Sequence, residues 1–177
     1  MGEIGRRVAR IAKRFKMRIL VFDPHLSPET IRQQKAEPVD LPSLMRQADY
    51  VSIHAPLSAE TRGLIGENEI ALMRPTACLI NTARGGLVDE KALIVALLRK
   101  KIAGAGLDVF SDEPIAQRSR LLKLEKVILT PHIGGLTEEA LAEVSRMTAE
   151  ECAKIVRGEI PINLVNRNEL AAKGIRV

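Results

Sequence analysis

Short apolar runs alternate with longer amphipathic segments along most of this 177-residue chain. Short apolar runs bounded by proline, glycine or acidic residues are typical of buried strands. The pattern predicts strands at residues 18–23, 37–39 (a weak one), 50–54, 77–81, 104–109 and 127–129. Strands spaced by helical segments indicate βαβ units rather than hairpins.

Helical spacing fills the segments between the strands. The first helix is predicted within residues 1–18, and we expect its apolar face to be buried, with the basic side chains on the opposite face. That apolar face consists of Ile4, Val8, Ile11, Ala12 and Phe15. Further helices are predicted at residues 42–48 and 67–73, from Asp89 to about residue 101, and from a cap at Thr137 to just before Gly158. The last helix is expected to bury Leu141, Val144, Thr148, Ile155 and Val156.

This alternation predicts the α/β fold class with a doubly wound parallel sheet, because parallel strands need right-handed helical crossovers. The length accommodates one ordinary domain. Ligands bind such sheets beyond the carboxyl ends of the strands, so the chemistry is expected directly after each strand. Polar or glycine-containing segments stand there at Asp23, residues 54–56, residues 82–86, Asp108 and residues 131–132.

Composition narrows the class of protein. Hydrophobic residues make up 46 % of the chain and aromatic residues 2 %, so the core is expected to be aliphatic. Cys78 and Cys152 lie far apart, which predicts neither a disulfide framework nor a metal site and favours the reducing cytoplasm. No apolar run approaches the roughly 18 residues of a membrane span, so no membrane partner is expected.

The net charge of +5 makes nucleic-acid binding a hypothesis to weigh. Residues 1–18 carry seven basic side chains and one acidic one, which places the whole excess on the first predicted helix. No aromatic platform or known reader motif accompanies it. A solvated helix face is the favoured interpretation, and no nucleic-acid partner is predicted.

A cofactor signal lies at the start of the chain. Gly2 and Gly5 have the spacing of the second and third glycines of G-x-G-x-x-G, where a helix N-terminus receives a pyrophosphate. Asp23 follows Gly2 by 21 residues at a strand end, where an acid can bind the ribose hydroxyls. Because a carboxylate repels a 2′-phosphate, Asp23 favours NAD over NADP. The competing interpretation of the two glycines is a structural helix cap.

The strand and the first glycine that precede such a turn have no counterpart in the sequence. In the usual strand order 3-2-1-4-5-6 that strand is central, between residues 18–23 and 50–54. We therefore expect both of these strands to have unpaired backbone groups, and we interpret the sequence as a fragment, a sequence with a mispredicted start or a deliberately cut piece.

Three side chains after later strands could carry out catalysis. His132 has the pKa range of a general acid or base, and the fork of Arg84 suits a carboxylate. Glu113 could orient the imidazole of His132. Each also has an ordinary interpretation: a loop histidine, an exposed turn arginine and a solvated loop acid.

Taken together, these segments resemble the NAD-binding domain of the D-isomer-specific 2-hydroxyacid dehydrogenases. The resemblance runs from Gly2 to about Asn166. Its motifs are V-F-D-P (21–24), H-A-P-L-S-A-E-T-R-G-L-I (54–65), L-I-N-T-A-R-G-G-L-V-D-E-K-A-L (79–93), G-A-G-L-D-V-F-S-D-E-P (104–114) and I-L-T-P-H-I-G-G-L-T-E-E-A (128–140).

The resemblance implies a Rossmann-type domain and a function in hydride transfer between NAD and C2 of a D-2-hydroxy or 2-oxo acid. Arg84 would bind and polarise the substrate, His132 would be the general acid/base and Glu113 its partner. The implied NAD site comprises Gly2, Glu3, Ile4, Asp23, Ala55, Pro56, Thr82, Ala83, Arg84, Asp108, His132, Gly134 and Gly135. His25 and His54 match no catalytic position.

The family also has a separate substrate domain, which the resemblance does not cover. Residues 1–158 are therefore predicted to form the NAD-binding domain, incomplete at its start, and residues 159–177 to return to the missing domain. The resemblance implies a homodimer for the longer parent, and the chain alone is expected to be inactive. A non-catalytic NAD-binding corepressor of the same fold is the alternative, since such proteins keep the same Arg, Glu and His.

Overall fold

Two parallel β-sheets form the framework of the protein, as the computed structural model shows for residues 1–175. Strands β1 (Leu20–Val21) and β2 (Glu37–Pro38) pair with each other. The second sheet has the order β3-β4-β5-β6, with strands Tyr50–Ile53, Cys78–Asn81, Gly104–Leu107 and Val127–Leu129. The predicted α/β class with a parallel sheet is confirmed.

Seven α-helices connect or follow the strands within residues 1–175. They are α1 (Glu3–Arg14), α2 (Pro28–Gln33), α3 (Leu41–Gln47), α4 (Glu67–Leu72), α5 (Glu90–Leu98), α6 (Glu138–Val156) and α7 (Arg167–Ala172). Two 3₁₀ turns lie at Gly85–Leu87 and Arg120–Lys123. Asp89 and Thr137 cap α5 and α6 through their side chains, as predicted. Helices α2 and α7 were not predicted, although Ser27 followed by Pro28 is a start signal for α2.

The main core is aliphatic, as the composition predicts. Its fully buried side chains include Met45, Leu79, Leu87, Leu93 and Leu121, which come from strands, helices and both 3₁₀ turns. A second, small cluster of Val21, Ile31 and Ala36 lies beside β1 and β2. The main core packs against the larger sheet, and the loops that follow its strands extend from this packed framework.

Helix α1 faces the protein with its small residues, which corrects the predicted buried stripe. Gly5 and Ala9 are buried, whereas Ile4 is 62 % and Phe15 75 % exposed, and Val8 and Ile11 are also exposed. A Cβ on Gly5 would lie 3.5 Å from the Cβ of His54, so the helix approaches the end of β3 closely. Large side chains on that face would prevent α1 from approaching the end of β3.

The two sheets have no shared strand within residues 1–175. There β1 pairs with β2 alone and β3 with β4 alone. Within the described residues, one backbone edge of β1 and one of β3 thus lack a strand partner, as expected.

The chain forms two compact units, Met1–Gly134 and a second beginning at Gly135. The second unit contains α6 and α7. The prediction that α6 buries Leu141, Val144, Thr148, Ile155 and Val156 is wrong, because no residue of this helix is buried and Val156 is 88 % exposed. The six-residue α7 is too short to cover a stripe along the 19 residues of α6.

Candidate active site

The predicted catalytic and cofactor residues of the first unit gather at the carboxyl ends of the strands. Thr82, Ala83 and Arg84 follow β4, Asp108 follows β5, and the loop from Thr130 to Gly134 follows β6. Since β4, β5 and β6 are parallel neighbours, these segments emerge at one edge of the sheet. Gly135 is the first residue of the second unit.

His132 and Glu113 form a direct pair at this edge. The Nδ1 atom of His132 lies 2.7 Å from Oε2 of Glu113. The other carboxylate oxygen, Oε1, accepts a hydrogen bond from the backbone N–H of Phe110 at 2.9 Å. The hydrogen bonds from His132 and Phe110 lower the pKa of Glu113, and the charge of Arg84 adds to this effect.

An ionised carboxylate only accepts hydrogen bonds, so we assign the proton to Nδ1 of His132 when the ring is neutral. This tautomer leaves Nε2 as the nitrogen that can exchange a proton with a substrate. The imidazole is about half exposed. The pair therefore has the orientation that general acid/base chemistry requires.

Asp108 holds the loop that carries His132. This buried carboxylate accepts hydrogen bonds from the hydroxyl of Thr130, from the N–H of Ile133 at 2.9 Å and from the N–H of Gly134 at 2.8 Å. Burial alone would raise the pKa of Asp108, but these hydrogen bonds outweigh it and lower the pKa below its usual value. The loop is thus anchored on both sides of His132.

His132 itself has a left-handed backbone conformation, with φ at 55°. Residues other than glycine adopt this conformation at a cost of about 1 kcal/mol or more, and such residues cluster at functional sites. Gly134 permits the close approach of the loop to Asp108, since a Cβ there would lie 2.9 Å from Oδ2 of Asp108.

Arg84 lies on a turn that packs against the loop of Glu113. A Cβ on Gly85 would lie 1.8 Å from the carbonyl oxygen of Phe110, so only glycine allows this contact. The Arg84 side chain is exposed and its Nη1 donates to the carbonyl of Ala83 at 2.6 Å. Arg84 is also close enough to Glu113 to affect its pKa. Arg84, Glu113 and His132 therefore all lie at the carboxyl ends of the strands in the larger sheet.

The start of α1 and the end of β1 form the second part of the candidate site. Helix α1 begins at Glu3 without a side-chain cap at Gly2, which leaves backbone N–H groups for a ligand. Space around Gly2 is open. The carboxylate of Asp23 forms an ion pair with the α-amino group of Met1. Open backbone amides and a nearby acid suit the pyrophosphate and ribose of a dinucleotide.

His54, Ala55 and Pro56 follow β3 beside this region. The Nε2 atom of His54 is 2.9 Å from the hydroxyl of Ser52, and burial lowers the pKa of this imidazole. His54 thus has its hydrogen-bond partner within β3.

Comparison with known proteins assigns the chain to a family. The family model described as D-isomer specific 2-hydroxyacid dehydrogenase, NAD binding domain, matches residues 1–134. The chain belongs to this family. NAD is thereby confirmed as the cofactor of the domain, and the recognition from the sequence motifs is also confirmed.

Named relatives cover the chain almost completely. It is 45 % identical over 171 residues to glyoxylate reductase of Thermococcus litoralis, covering 97 % of this chain and 51 % of the relative. It is 44 % identical over 167 residues to D-3-phosphoglycerate dehydrogenase of Methanocaldococcus jannaschii, covering 94 % of this chain and 32 % of the relative. The chain thus spans about half or less of these relatives.

A solved structure supports the fold. The NAD-complexed D-isomer specific 2-hydroxyacid dehydrogenase of Lactobacillus delbrueckii ssp. bulgaricus matches with a TM-score of 0.82 and 32 % identity. The match covers 93 % of this chain and 53 % of that one.

None of the helices within residues 1–175 combines the length and the apolar character that a membrane span needs. The same residues contain no group of three or more side chains that could hold a metal ion.

Asn81, the last residue of β4, is a buried polar residue beside the site that the sequence patterns did not single out. It lies within the L-I-N-T-A-R-G-G motif, directly before the turn that carries Arg84. An asparagine ending an otherwise apolar strand was the available signal, because a buried amide needs specific partners.

Proposed function

We propose that the protein to which this chain belongs transfers a hydride between NAD and C2 of a D-2-hydroxy acid or its 2-oxo acid. The observation that carries this proposal is the His132–Glu113 pair at 2.7 Å, on the same sheet edge as Arg84. A proton donor and a carboxylate-binding cation are the groups that this reaction demands from the protein.

The three side chains have distinct roles in the reduction. Arg84 binds the carboxylate of the 2-oxo acid and polarises its carbonyl group. Reduced NAD, held at the start of α1 and beside Asp23, would supply the hydride for C2. Protonated His132 gives its Nε2 proton to the carbonyl oxygen, which yields the hydroxyl, and in the oxidation it takes that proton back. Ionised Glu113 accepts the hydrogen bond of Nδ1 and keeps the ring oriented.

The proposed NAD site follows the same strand ends. Gly2, Glu3 and Ile4 would receive the pyrophosphate at the start of α1, and Asp23 would bind the ribose hydroxyls. The rest of the site comprises Ala55, Pro56, Thr82, Ala83, Asp108, Gly134 and Gly135, with Arg84 and His132 at the reacting end. The carboxylate of Asp23 favours NAD over NADP.

The remainder of the proposal concerns the longer protein. Residues 1–158 belong to its NAD-binding domain, and residues 159–177 lead back to a substrate domain. The names of the relatives, glyoxylate reductase and D-3-phosphoglycerate dehydrogenase, favour a small 2-oxo acid as substrate. The working form is a cytoplasmic homodimer that binds neither membranes nor nucleic acid.

A chimeric protein tests this function. In this protein, called the graft, the chain replaces the matching half of the Thermococcus litoralis glyoxylate reductase. NADH oxidation by the graft is followed with glyoxylate and other 2-oxo acids. We expect turnover that His132→Ala and Arg84→Ala abolish and that His25→Ala, at an exposed histidine outside the proposed site, leaves intact. A graft that binds NADH and turns over nothing would favour the corepressor-like alternative. Failure to bind NADH would contradict both hypotheses.

A further inference from the structure

The buried amide of Asn81 closes the turn that carries Arg84. Its side chain is 1 % exposed. The Nδ2 group donates to the carbonyl oxygen of Arg84 at 2.9 Å, and Oδ1 accepts from the N–H of Ala83 at 3.0 Å. One side chain thus fixes the peptide groups on both sides of the Ala83–Arg84 segment.

Backbone contacts tie this anchor to the neighbouring strand. The carbonyl oxygen of Asn81 accepts a hydrogen bond from the N–H of Asp108 at 3.0 Å. Asp108 in turn holds the loop of His132. The turn of Arg84 and the loop of His132 are therefore fixed to adjacent residues of one rigid sheet.

The chemistry of the turn accounts for an asparagine at this position. The turn presents one acceptor, the Arg84 carbonyl, and one donor, the Ala83 N–H. A carboxylate could not donate to the carbonyl, and an aliphatic side chain would leave both groups without a partner. Only a side chain with a donor and an acceptor at this length satisfies both.

We propose that Asn81 is a positioning residue that sets the guanidinium of Arg84 at the sheet edge, where it meets the carboxylate of the substrate. This inference rests on the proposed function and names a residue outside the assigned site. Asn81 acts through the Ala83–Arg84 turn and touches neither substrate nor cofactor. Its loss therefore weakens recognition of the 2-oxo acid more than it weakens NADH binding, in which Ala83 takes part through the same turn.

The test uses Asn81→Ser in the grafted glyoxylate reductase, alone and combined with Arg84→Ala. We expect Asn81→Ser to raise the KM for glyoxylate about tenfold, in keeping with the loss of buried hydrogen bonds, and to raise the Kd for NADH by a smaller factor, because Ala83 belongs to the same turn. In the Arg84→Ala background the same change should have no further effect on glyoxylate, because coupled residues are non-additive. Binding of oxalate to the NADH complex, read by nicotinamide fluorescence, should weaken in parallel without any turnover.

Asn68→Ser, at an exposed position on α4, is the matched control and should change none of these quantities. Equal loss of glyoxylate and NADH affinity, or an undiminished effect in the Arg84→Ala background, would overturn the proposal. If Asn81→Ser does not fold, amide hydrogen exchange of the unsubstituted chain tests the proposal instead. Fast exchange of the Ala83 amide would overturn the proposal, because this amide donates to Asn81. Failure of the proposed function would instead appear in the unsubstituted graft.

Discussion

His132 shows how much of the candidate chemistry depends on single residues. Its ring is oriented by Glu113, while its left-handed backbone is maintained by a loop that Asp108 holds through three hydrogen bonds. The ring and the backbone thus have separate supports. Changes at Glu113 should consequently alter proton transfer without releasing the loop.

The first prediction is that Glu113→Gln changes the pH profile of the reductive reaction. The pKa of Glu113 is lowered, so its charge is present above that lowered value and lost only as the pH falls through it. An amide removes this charge at every pH and weakens the hydrogen bond that orients the ring of His132. We expect kcat/KM to fall at least about tenfold and the decline that protonation of Glu113 causes at low pH to disappear, measured by steady-state kinetics of the graft.

Asp112→Asn supplies the control for this prediction. Asp112 is exposed in the same loop, and its substitution removes the same charge one residue away. Its profile should match that of the unsubstituted protein. A Glu113→Gln profile that also matches would remove Glu113 from the proposed mechanism.

A second prediction at the residue scale concerns cofactor choice. The carboxylate of Asp23 opposes a 2′-phosphate by about 1–3 kcal/mol, so NADH should bind roughly 5- to 150-fold more tightly than NADPH. Asp23→Ser should narrow this ratio by about tenfold. Titration of both nucleotides by fluorescence measures it, and equal affinities for the unsubstituted protein would refute the role of Asp23.

At the scale of elements, the turn after β4 packs directly against the loop after β5, and this contact requires glycine at position 85. The third prediction is that Gly85→Ala destabilises the protein by about 1–3 kcal/mol, because its Cβ would collide with backbone atoms that have no free rotation. Thermal unfolding measures the loss. Gly106→Ala is the control, since its Cβ would meet Ile80 at an ordinary 3.9 Å. Equal melting temperatures for the two variants would contradict the close packing of turn and loop.

The elements themselves were largely predictable from the sequence. Apolar runs gave β3, β4, β5 and β6 to within two residues at either end, since short apolar runs bounded by turn residues are typical of strands. The periodicity of α1 defined an apolar stripe but could not tell that the close approach to His54 selects Gly5 and Ala9 instead. Close packing depends on side-chain size as much as on polarity.

The candidate site was likewise predictable from the sequence only in part. The strand-end rule led to Arg84, Glu113 and His132, because parallel strands bring their carboxyl ends together. The 2.7 Å contact between His132 and Glu113 joins residues 19 positions apart and depends on the path of two loops. The role of Asn81 depends on the path of the turn after it, which no residue pattern specifies.

At the scale of the whole molecule, the open edges of β1 and β3 are the main structural feature of the first unit. The α-amino group of Met1 pairs with Asp23 just after β1, and Gly5 packs on His54 just after β3. The first residues therefore lie between the carboxyl ends of both strands. A parallel strand that ran into Met1 would fit between β1 and β3 and pair with both.

The fourth prediction is that such a strand stabilises the chain. An extension of about five residues before Met1, rich in valine and isoleucine and ending in glycine, should raise the Tm by about 5 °C or more, through several new backbone hydrogen bonds of about 0.5–1.5 kcal/mol each. A glycine–serine extension of equal length is the control. Equal Tm values for the two extensions would show that the edges do not accept a strand.

The last prediction is that the 177-residue chain alone oxidises no NADH with any 2-oxo acid, although Arg84, Glu113 and His132 are all present. Hydride transfer needs the substrate held about 3–3.5 Å from the nicotinamide with water excluded. His132 is about half exposed in the chain, and the relatives are about twice as long or more. Under the proposed function, the substrate domain of the longer protein would supply the surface that encloses the substrate. An absorbance assay at 340 nm with purified chain, NADH and a panel of 2-oxo acids measures the rate. A cooperative thermal transition together with steady NADH oxidation would show that the described edge is sufficient for catalysis without a second domain.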